Sequence, residues 1–325
     1  MKLDAKQLNA FEQDGFLVIN DVLDETSRQP LIDEYTQLVN DVASFRGLVT
    51  DDWPSMSFES RFTHLVANDP DAYEYLDISL PLKNDLTETS GMHAGPAVFN
   101  LLTHPAILDI AESVLGPEVV SNPVQHARIK PPESALSTAG RGNSNMGRTG
   151  WHQDAAVVLE HAEQSPILTV WVAMTDATPE MGCMRAVPGS HRWQGLGKHC
   201  PGRAGKGEIF IPPSLVEDQQ SVDLAVRAGG VVLLHKNTWH GAGPNMTENI
   251  RWSFDLRFQP PQFPTGRECF PEFLARSQAN PHDVVTSPDQ WQAKWQSARK
   301  SIGRGDTQAV FNVRWESNGD DPLCA

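Results

Sequence analysis

The pattern of this 325-residue chain changes at about residue 118, from helical periodicity to a series of short strands. Before that point, apolar residues recur three and four positions apart in residues 4–14, 31–42 and 104–115. The predicted strands that follow are residues 124–130, 150–159, 167–175, 185–188, 221–226, 231–235 and 249–259. Helices followed by many short strands, without βαβ alternation, predict an α+β fold with a mainly β core. A jelly roll is the architecture that we favour.

The chain divides into three predicted parts: a helical part (residues 1–117), a β core (118–260) and a C-terminal extension (261–325). No linker separates them by composition, so we expect a single domain over residues 1–325. Two stretches rich in Gly and basic residues, 137–148 and 198–207, are interpreted as loops. Either is an exposed surface loop, or the first, which immediately precedes His152, is a lid over a functional site.

Composition excludes some partners. A net charge of −15 repels nucleic acid and anionic membranes. The aliphatic run at residues 231–234 is far shorter than the roughly 20 residues that a membrane span needs, and we expect no signal sequence in the polar N-terminus. The four cysteines form no C-x-x-C pair, so we expect reduced thiols in a cytoplasmic protein. The oligomeric state cannot be inferred from the sequence.

A candidate metal site follows from three residues on two predicted strands. His152 and Asp154 are two positions apart, and such residues project from the same face of a strand. His240 lies at the end of another apolar strand, at its junction with a turn, and we favour it over His235, which lies in the strand body. Two histidines and one carboxylate, with open positions opposite, are typical of non-haem Fe(II) oxygenases.

The strand after His240 alternates between an apolar and a polar face. The apolar face carries Ile250, Trp252, Phe254, Leu256 and Phe258, and the polar face carries Asn249, Arg251, Ser253, Asp255 and Arg257. Either face can point inward on this evidence. Arg251 can hold a carboxylate with two parallel hydrogen bonds, and Ser253 adds a hydroxyl donor. That chemistry suits the distal carboxylate of 2-oxoglutarate, whose 2-oxo acid end chelates the metal.

These motifs, in this order, resemble the phytanoyl-CoA dioxygenase family of Fe(II)/2-oxoglutarate-dependent oxygenases. The resemblance covers roughly residues 5 to 260, and it is specific for the family rather than for a substrate. The matching motifs are Asp14-Gly15-Phe16-Leu17-Val18, His104-Pro105, Leu115-Gly116, Trp151-His152-Gln153-Asp154, Trp171-Val172-Ala173-Met174-Thr175-Asp176, Val187-Pro188-Gly189-Ser190-His191, Trp239-His240-Gly241 and Arg251-Trp252-Ser253.

The resemblance implies a double-stranded β-helix of the cupin-like type, with iron held by His152, Asp154 and His240. It also implies that Arg251, with Ser253, binds the C5 carboxylate of 2-oxoglutarate. Further co-substrate contacts are implied at Lys130 and Gln125, on the strand before the metal strand. The implied cofactors and co-substrates are Fe(II), 2-oxoglutarate and O2, with ascorbate as a supporting reductant in vitro.

The predicted function is hydroxylation of a small-molecule metabolite or natural-product intermediate, with release of succinate and CO2. Related halogenases replace the metal carboxylate with a small residue, so the presence of Asp154 favours hydroxylation. Desaturation, epoxidation or an acyl-CoA substrate are alternatives within the same class, and a non-catalytic cupin-like binding protein is an alternative outside it. Arginines near the two loops are candidates to meet an anionic substrate group: Arg141, Arg148, Arg192 and Arg203. The substrate itself is not readable from the sequence.

Overall fold

The computed structural model describes residues 1–83, 85–202, 208–217, 219–310 and 313–324. The α-helices are α1 (Ala5–Asp14), α2 (Glu25–Phe45), α3 (Phe58–Asn68), α4 (Pro96–Leu102), α5 (Pro105–Leu115), α6 (Thr138–Arg141), α7 (Pro213–Val216) and α8 (Pro288–Gly303). The strands are β1 (Phe16–Ile19), β2 (Val119–Lys130), β3 (Thr149–His152), β4 (Leu168–Ala173), β5 (Met184–Ala186), β6 (Cys200–Pro201), β7 (Ile209–Phe210), β8 (Val222–Leu224), β9 (Val231–His235), β10 (His240–Ala242), β11 (Arg251–Gln259) and β12 (Phe273–Arg276).

The N-terminal helices follow the predicted periodicity. Asp24 caps α2 by accepting a 2.8 Å hydrogen bond from the backbone N–H of Ser27. The buried side chains of α2 include Leu31, Tyr35 and Val39, which lie on one stripe of the helix. This stripe packs against the larger sheet and fixes the helical layer on one of its faces.

The larger sheet is antiparallel, with strand order β1-β9-β4-β11-β2-β12. Strand β11 lies near its centre, between β4 and β2. The apolar face of β11, including Trp252, Phe254 and Leu256, belongs to the core shared with the helices. Packing against these helices therefore decides the question that the sequence left open: the polar face of β11, with Arg251 and Arg257, points between the two sheets.

The smaller sheet has strand order β3-β10-β5-β8 and faces the larger one. A second core fills the space between them, with side chains such as Trp171 and Val232 from the larger sheet and Met184 and Leu224 from the smaller. In the smaller sheet His240 of β10 pairs directly with His152 of β3. Two facing antiparallel sheets, with helices outside the larger one, are the architecture of a double-stranded β-helix.

The β core extends beyond the predicted limits of residues 118–260. Strand β1, in the predicted helical part, and strand β12, in the predicted C-terminal extension, form the two edges of the larger sheet. Helix α8 also packs into the core, with Trp291 and Trp295 fully buried. The extension completes the fold over much of its length because its apolar side chains cover the helical layer.

One segment, Pro96–Leu115, has the length and hydropathy of a membrane span. In the structure it comprises α4 and α5, which are separated at Thr103 and His104, and Pro105 begins the second helix. Buried side chains of both helices belong to the main core, so core packing explains the hydropathy of this segment. The absence of a membrane partner stays a prediction.

A disulfide joins Cys200 to Cys324 across a sequence separation of 124 residues, with the Cα atoms 5.5 Å apart. The expectation of reduced thiols is wrong for this pair, while Cys183 and Cys269 are free. The pairing has no sequence signal, because only the return of the chain end to β6 brings the two cysteines together. Disulfides persist best in oxidising compartments, and cytoplasmic localisation stays a prediction.

Candidate active site

The structure brings the three predicted ligands together between the sheets. The Nε2 atoms of His152 and His240 lie 3.7 and 3.9 Å from the Oδ1 atom of Asp154. All three ligand atoms lie within 4.8 Å of one another, and all three residues are buried. Atoms bound to one ion at about 2.1 Å are separated by roughly 3–4 Å, so this arrangement fits a single metal ion.

The predicted strand 150–159 ends early. Strand β3 stops at His152, and Asp154 begins a short 3-10 turn over Asp154–Ala156. Gln153, between the ligands, keeps an extended backbone with φ −117° and ψ 136°. Because Gln153 is extended, His152 and Asp154 still project to the same side, although Asp154 lies outside the strand. His240 likewise begins strand β10 instead of ending the preceding strand.

Backbone carbonyls fix the tautomer of both histidines. The Nδ1 atom of His152 lies 2.8 Å from the Gly150 carbonyl oxygen, and that of His240 lies 2.9 Å from the Thr238 carbonyl oxygen. A carbonyl only accepts, so Nδ1 carries the hydrogen and Nε2 presents its lone pair to the shared point. Burial, reinforced by His240, lowers the pKa of His152 to about 3, which keeps the imidazole neutral and able to bind a metal.

Two partners hold the carboxylate of Asp154. Thr169 donates a hydrogen bond to Oδ2, and Arg257 forms a buried ion pair with Oδ1. Burial by itself raises the pKa of Asp154, but the charge of Arg257 and the neighbouring histidines outweigh it, and the net shift of the pKa is downward. Asp154 is therefore ionised and its orientation is fixed before any metal binds.

Arg251 lies further along the inner face of β11 and is fully buried. Its Nη1 atom donates a 2.7 Å hydrogen bond to the Ser253 hydroxyl, and its guanidinium lies 5.3 Å from the ring centroid of Trp171. Within the described residues, Nε and Nη2 of Arg251 have no hydrogen-bond partner. Burial lowers the pKa of Arg251 to about 10, so the side chain stays cationic at neutral pH. Unpartnered buried donors on a cation indicate an anion-binding position.

Lys130 and Gln125 lie on opposite faces of β2. The Nζ atom of Lys130 donates to the Gly243 carbonyl oxygen at 2.9 Å. The charge of Arg251 is near enough to lower the pKa of this buried ammonium. Burial, followed by Arg251, lowers the pKa of Lys130 well below its ordinary value, and an anion between the two cations relieves this repulsion. Gln125 instead donates to the Ile78 carbonyl oxygen at 3.0 Å, on the face that packs against the helical layer. The structure does not bring Gln125 to the site.

A cavity of about 290 Å³ opens from His152 and Arg257 towards the helical part of the chain. Its lining includes residues of the segment 70–83, of strand β2 and of the predicted loop 137–148. Arg128 donates to the Ser144 carbonyl oxygen at 3.1 Å and to Asn145 Oδ1 at 2.9 Å, which fastens this loop to β2. Residues 143–145 of the loop therefore form a wall of the cavity, while most of residues 137–142 is exposed.

The loop arginines do not line this cavity. Arg141 lies 3.5 Å from Glu133 in an exposed ion pair, Arg192 donates to the backbone oxygen of Gln13, and Arg148 is exposed. Arg203, with the second half of the predicted loop 198–207, lies outside the described residues. The structure does not support the expectation that Arg141, Arg148 or Arg192 meets an anionic substrate group.

Sequence reasoning missed several residues around the ligands. Arg257 was visible only as one member of the polar row on β11, and nothing in the sequence paired it with Asp154. Thr169 has no motif of its own. His199 is fully buried and accepts a 3.2 Å hydrogen bond from the backbone N–H of Gln153, between the two ligands. Burial lowers the pKa of His199 to about 4, so it is neutral there.

A family model and several known proteins match parts of this sequence. The family model described as "Phytanoyl-CoA dioxygenase (PhyH)" matches residues 11–253. Human peroxisomal phytanoyl-CoA dioxygenase is 24% identical over 272 residues, which cover 79% of this chain and 68% of that protein. Rat phytanoyl-CoA dioxygenase domain-containing protein 1 is 31% identical over 112 residues, or 33% of this chain and 38% of that protein.

Solved structures confirm the predicted fold. The apo form of the non-haem monooxygenase ThoJ aligns with a TM-score of 0.57 and 19% identity, covering 91% of this chain and 97% of that one. The α-ketoglutarate-dependent epimerase SnoN from nogalamycin biosynthesis aligns with a TM-score of 0.50 and 20% identity, covering 80% and 85%. The family match spans well over half of the sequence. The chain therefore belongs to the phytanoyl-CoA dioxygenase family of Fe(II)/2-oxoglutarate-dependent oxygenases.

Proposed function

We propose that this protein is an Fe(II)- and 2-oxoglutarate-dependent dioxygenase that hydroxylates a small-molecule metabolite or natural-product intermediate. The observation that carries the proposal is the convergence of His152, Asp154 and His240 on one point, together with a buried arginine, Arg251, that has free donors on the inner face of β11. The three residues are the proposed metal ligands, with two imidazole lone pairs and one ionised carboxylate. Arg251, Ser253 and Lys130 are the proposed contacts of 2-oxoglutarate.

Each proposed ligand has a defined role before the metal binds. The Gly150 and Thr238 carbonyl oxygens orient the two imidazoles, and Arg257 and Thr169 orient the carboxylate. Fe(II), when bound with 2-oxoglutarate and O2, supplies the oxidising chemistry, in which the keto acid is converted to succinate and CO2. Arg251 binds the distal carboxylate with its free Nε and Nη2 donors, which fixes the direction of the co-substrate.

Hydroxylation is the reaction that we favour, because Asp154 provides the carboxylate of a complete triad. The structural neighbour SnoN is an epimerase, so one scaffold accommodates more than one outcome. A cavity of about 290 Å³ suits a small substrate, or one end of a larger one. An acyl-CoA, the substrate type named for the human relative, is the second candidate, with its nucleotide outside the cavity.

The test is oxygen consumption and succinate formation by the Fe(II)-loaded protein with 2-oxoglutarate and ascorbate, over panels of small metabolites and acyl-CoA thioesters. Product mass separates the reactions: hydroxylation adds one oxygen atom, desaturation removes two hydrogen atoms, and epimerisation leaves the mass unchanged. His152→Ala and Asp154→Ala should abolish turnover. His235→Ala is the matched control, since His235 lies outside the triad and should leave turnover intact. Unchanged succinate formation in His152→Ala would remove the proposal.

A further inference from the structure

Residues 313–324 pack beside His199 and beside the turn that begins at Asp154. The Trp315 ring lies 5.0 Å from the His199 ring at an interplanar angle of 36°, and its Nε1 atom donates to the Ala156 carbonyl oxygen at 2.8 Å. Asn318 Nδ2 donates to the His199 carbonyl oxygen at 2.7 Å. Cys324 is bonded to Cys200, the residue after His199. One short segment thus contacts both His199 and the turn that begins at Asp154.

His199 transmits this contact to the backbone between two proposed ligands. Its Nδ1 atom donates to the Gly197 carbonyl oxygen at 2.7 Å, so its Nε2 atom accepts from the Gln153 N–H at 3.2 Å. The Gln153 side chain is also fixed, because Oε1 accepts from the Gly197 N–H at 2.7 Å and Nε2 donates to the Asn237 carbonyl oxygen at 2.9 Å. The orientation of Gln153, the residue between His152 and Asp154, is therefore fixed by hydrogen bonds of both its backbone and its side chain.

We propose that residues 313–324 are a positioning element for the metal ligands, acting through Trp315 and His199. Trp315 holds His199 against the Gln153 peptide and fixes Ala156, which lies in the turn that begins at Asp154. The inference rests on the proposed function in that the triad binds a metal. The segment lies beyond residue 253, where the family match ends.

The disulfide keeps this segment in place. Apart from the two contacts of Trp315, the segment is held by the Asn318 hydrogen bond and by ion pairs of Arg314 with Glu163 and of Asp321 with Lys198. Ion pairs near the surface contribute little, and the segment must lose conformational freedom to dock. The bond from Cys324 to Cys200 replaces a long chain connection by a short one and so raises the effective concentration of the segment at its site.

The test compares Trp315→Ala and His199→Ala with the conservative variants Trp315→Phe and His199→Gln. Phenylalanine keeps a ring against His199, and glutamine keeps an acceptor for the Gln153 N–H. Two quantities are measured: Co(II) affinity by calorimetry, and hydrogen exchange of the segment 150–157 in the metal-free protein. We expect the alanine variants to bind Co(II) about tenfold more weakly and to exchange the Gln153 amide faster, with the conservative variants close to wild type.

A second experiment releases residues 313–324 by reducing the disulfide, with Trp315 and His199 left unchanged. Dithiothreitol supplies the two electrons and two protons that convert the Cys200–Cys324 disulfide to thiols, and the reductant is removed under argon before titration. The reduced wild type should match Trp315→Ala in Co(II) affinity and in hydrogen exchange. Reduction should change Cys269→Ser as much as it changes the wild type. Reduction should leave the double variant Cys200→Ser/Cys324→Ser unchanged, because it has no disulfide to reduce.

Wild-type values in both alanine variants and in the reduced protein would overturn the proposal. An equal loss in all four variants, with faster exchange throughout β2 and β11, would also overturn it, since that pattern indicates general destabilisation. Failure of the wild type to bind Co(II) would contradict the proposed function instead, and hydrogen exchange in the metal-free protein would still test the positioning role.

Discussion

Two arginines on the same face of β11, Arg251 and Arg257, are both buried but differ in their partners. Arg257 donates to Asp154 through Nη2 and to the Val124 carbonyl oxygen through Nη1 at 2.7 Å. Within the described residues Arg251 donates only to the Ser253 hydroxyl and forms no ion pair, although the charge of Asp255 is near enough to raise its pKa. A buried cation needs an anion, so Arg257 has one supplied by the chain, while Arg251 is arranged for one that arrives from solution.

The largest expected effect concerns Arg257. Its replacement in Arg257→Met leaves Asp154 buried without its cation, and breaking such a pair typically costs about 3–5 kcal/mol in the free energy of unfolding. Urea denaturation of the metal-free protein measures this loss. In the Arg257→Met background, a further change of Asp154→Asn should recover part of the stability, because it removes the uncompensated charge.

Arg251→Met is the matched control for stability. Removing a buried cation that forms no ion pair within the described residues should leave the free energy of unfolding of the metal-free protein unchanged or slightly higher. Losses of equal size in Arg251→Met and Arg257→Met would mean that the two arginines play the same structural role, and the comparison would fail.

The next effect concerns 2-oxoglutarate. Losing the charge-assisted bonds of Arg251 should weaken binding of 2-oxoglutarate by roughly 1.5–3 kcal/mol, or about tenfold to a hundredfold. The dependence of succinate formation on 2-oxoglutarate concentration measures it, with the Co(II) affinity of the same variant as the control. If Arg251→Met keeps the wild-type affinity for 2-oxoglutarate, another cation holds the co-substrate.

The smallest effect is a dependence of the free energy of unfolding on pH. It should come from buried histidines and not from Arg251 or Arg257. Burial lowers the pKa of both His199 and His235 to about 4 in the folded protein, from an ordinary value of 6.5. The unfolded chain therefore binds more protons between these values, so stability is full above about pH 6.5 and falls as the pH decreases towards 4.

From pH 7 to 5 the free energy of unfolding should fall by on the order of 1–2 kcal/mol for each buried histidine. Urea denaturation at the two pH values measures the fall, and His235→Gln should make it smaller. The difference between Arg251→Met and Arg257→Met should persist at both pH values. A protein that is equally stable at pH 5 and pH 7 would contradict the neutral buried histidines.

Residue pattern was sufficient to group His152, Asp154 and His240, because spacing in strands and donor chemistry both restrict the choice. Their role as metal ligands stays a prediction. The alternation along β11 also separated Arg251 and Ser253 from the apolar row. It did not indicate which of the two rows faces inward. That depends on Trp252 and Phe254 packing against the helices, which is a tertiary contact. The prediction placed Gln125 at the site, but successive residues of β2 alternate between the helical layer and the space between the sheets. Gln125 lies on the side of the helical layer.

The supports of the triad were beyond the reach of the sequence. Arg257 of β11 pairs with Asp154, in the turn after β3, although the two residues are far apart in the sequence, and no local pattern encodes that contact. His199, Trp315 and Cys324 are brought together by the path of the C-terminal segment, which has only weak helical periodicity and lies outside the family match. Such contacts depend on the complete fold.

The central claim is that His152, Asp154 and His240 bind one metal ion. Anaerobic calorimetric titration of the metal-free protein with Fe(II) tests it most directly, in the wild type and in His240→Ala, with His235→Ala as the control histidine. We predict one equivalent bound by the wild type and by His235→Ala, and strongly weakened binding by His240→Ala. Binding to His240→Ala as tight as to the wild type, or loss of binding in His235→Ala alone, would contradict it.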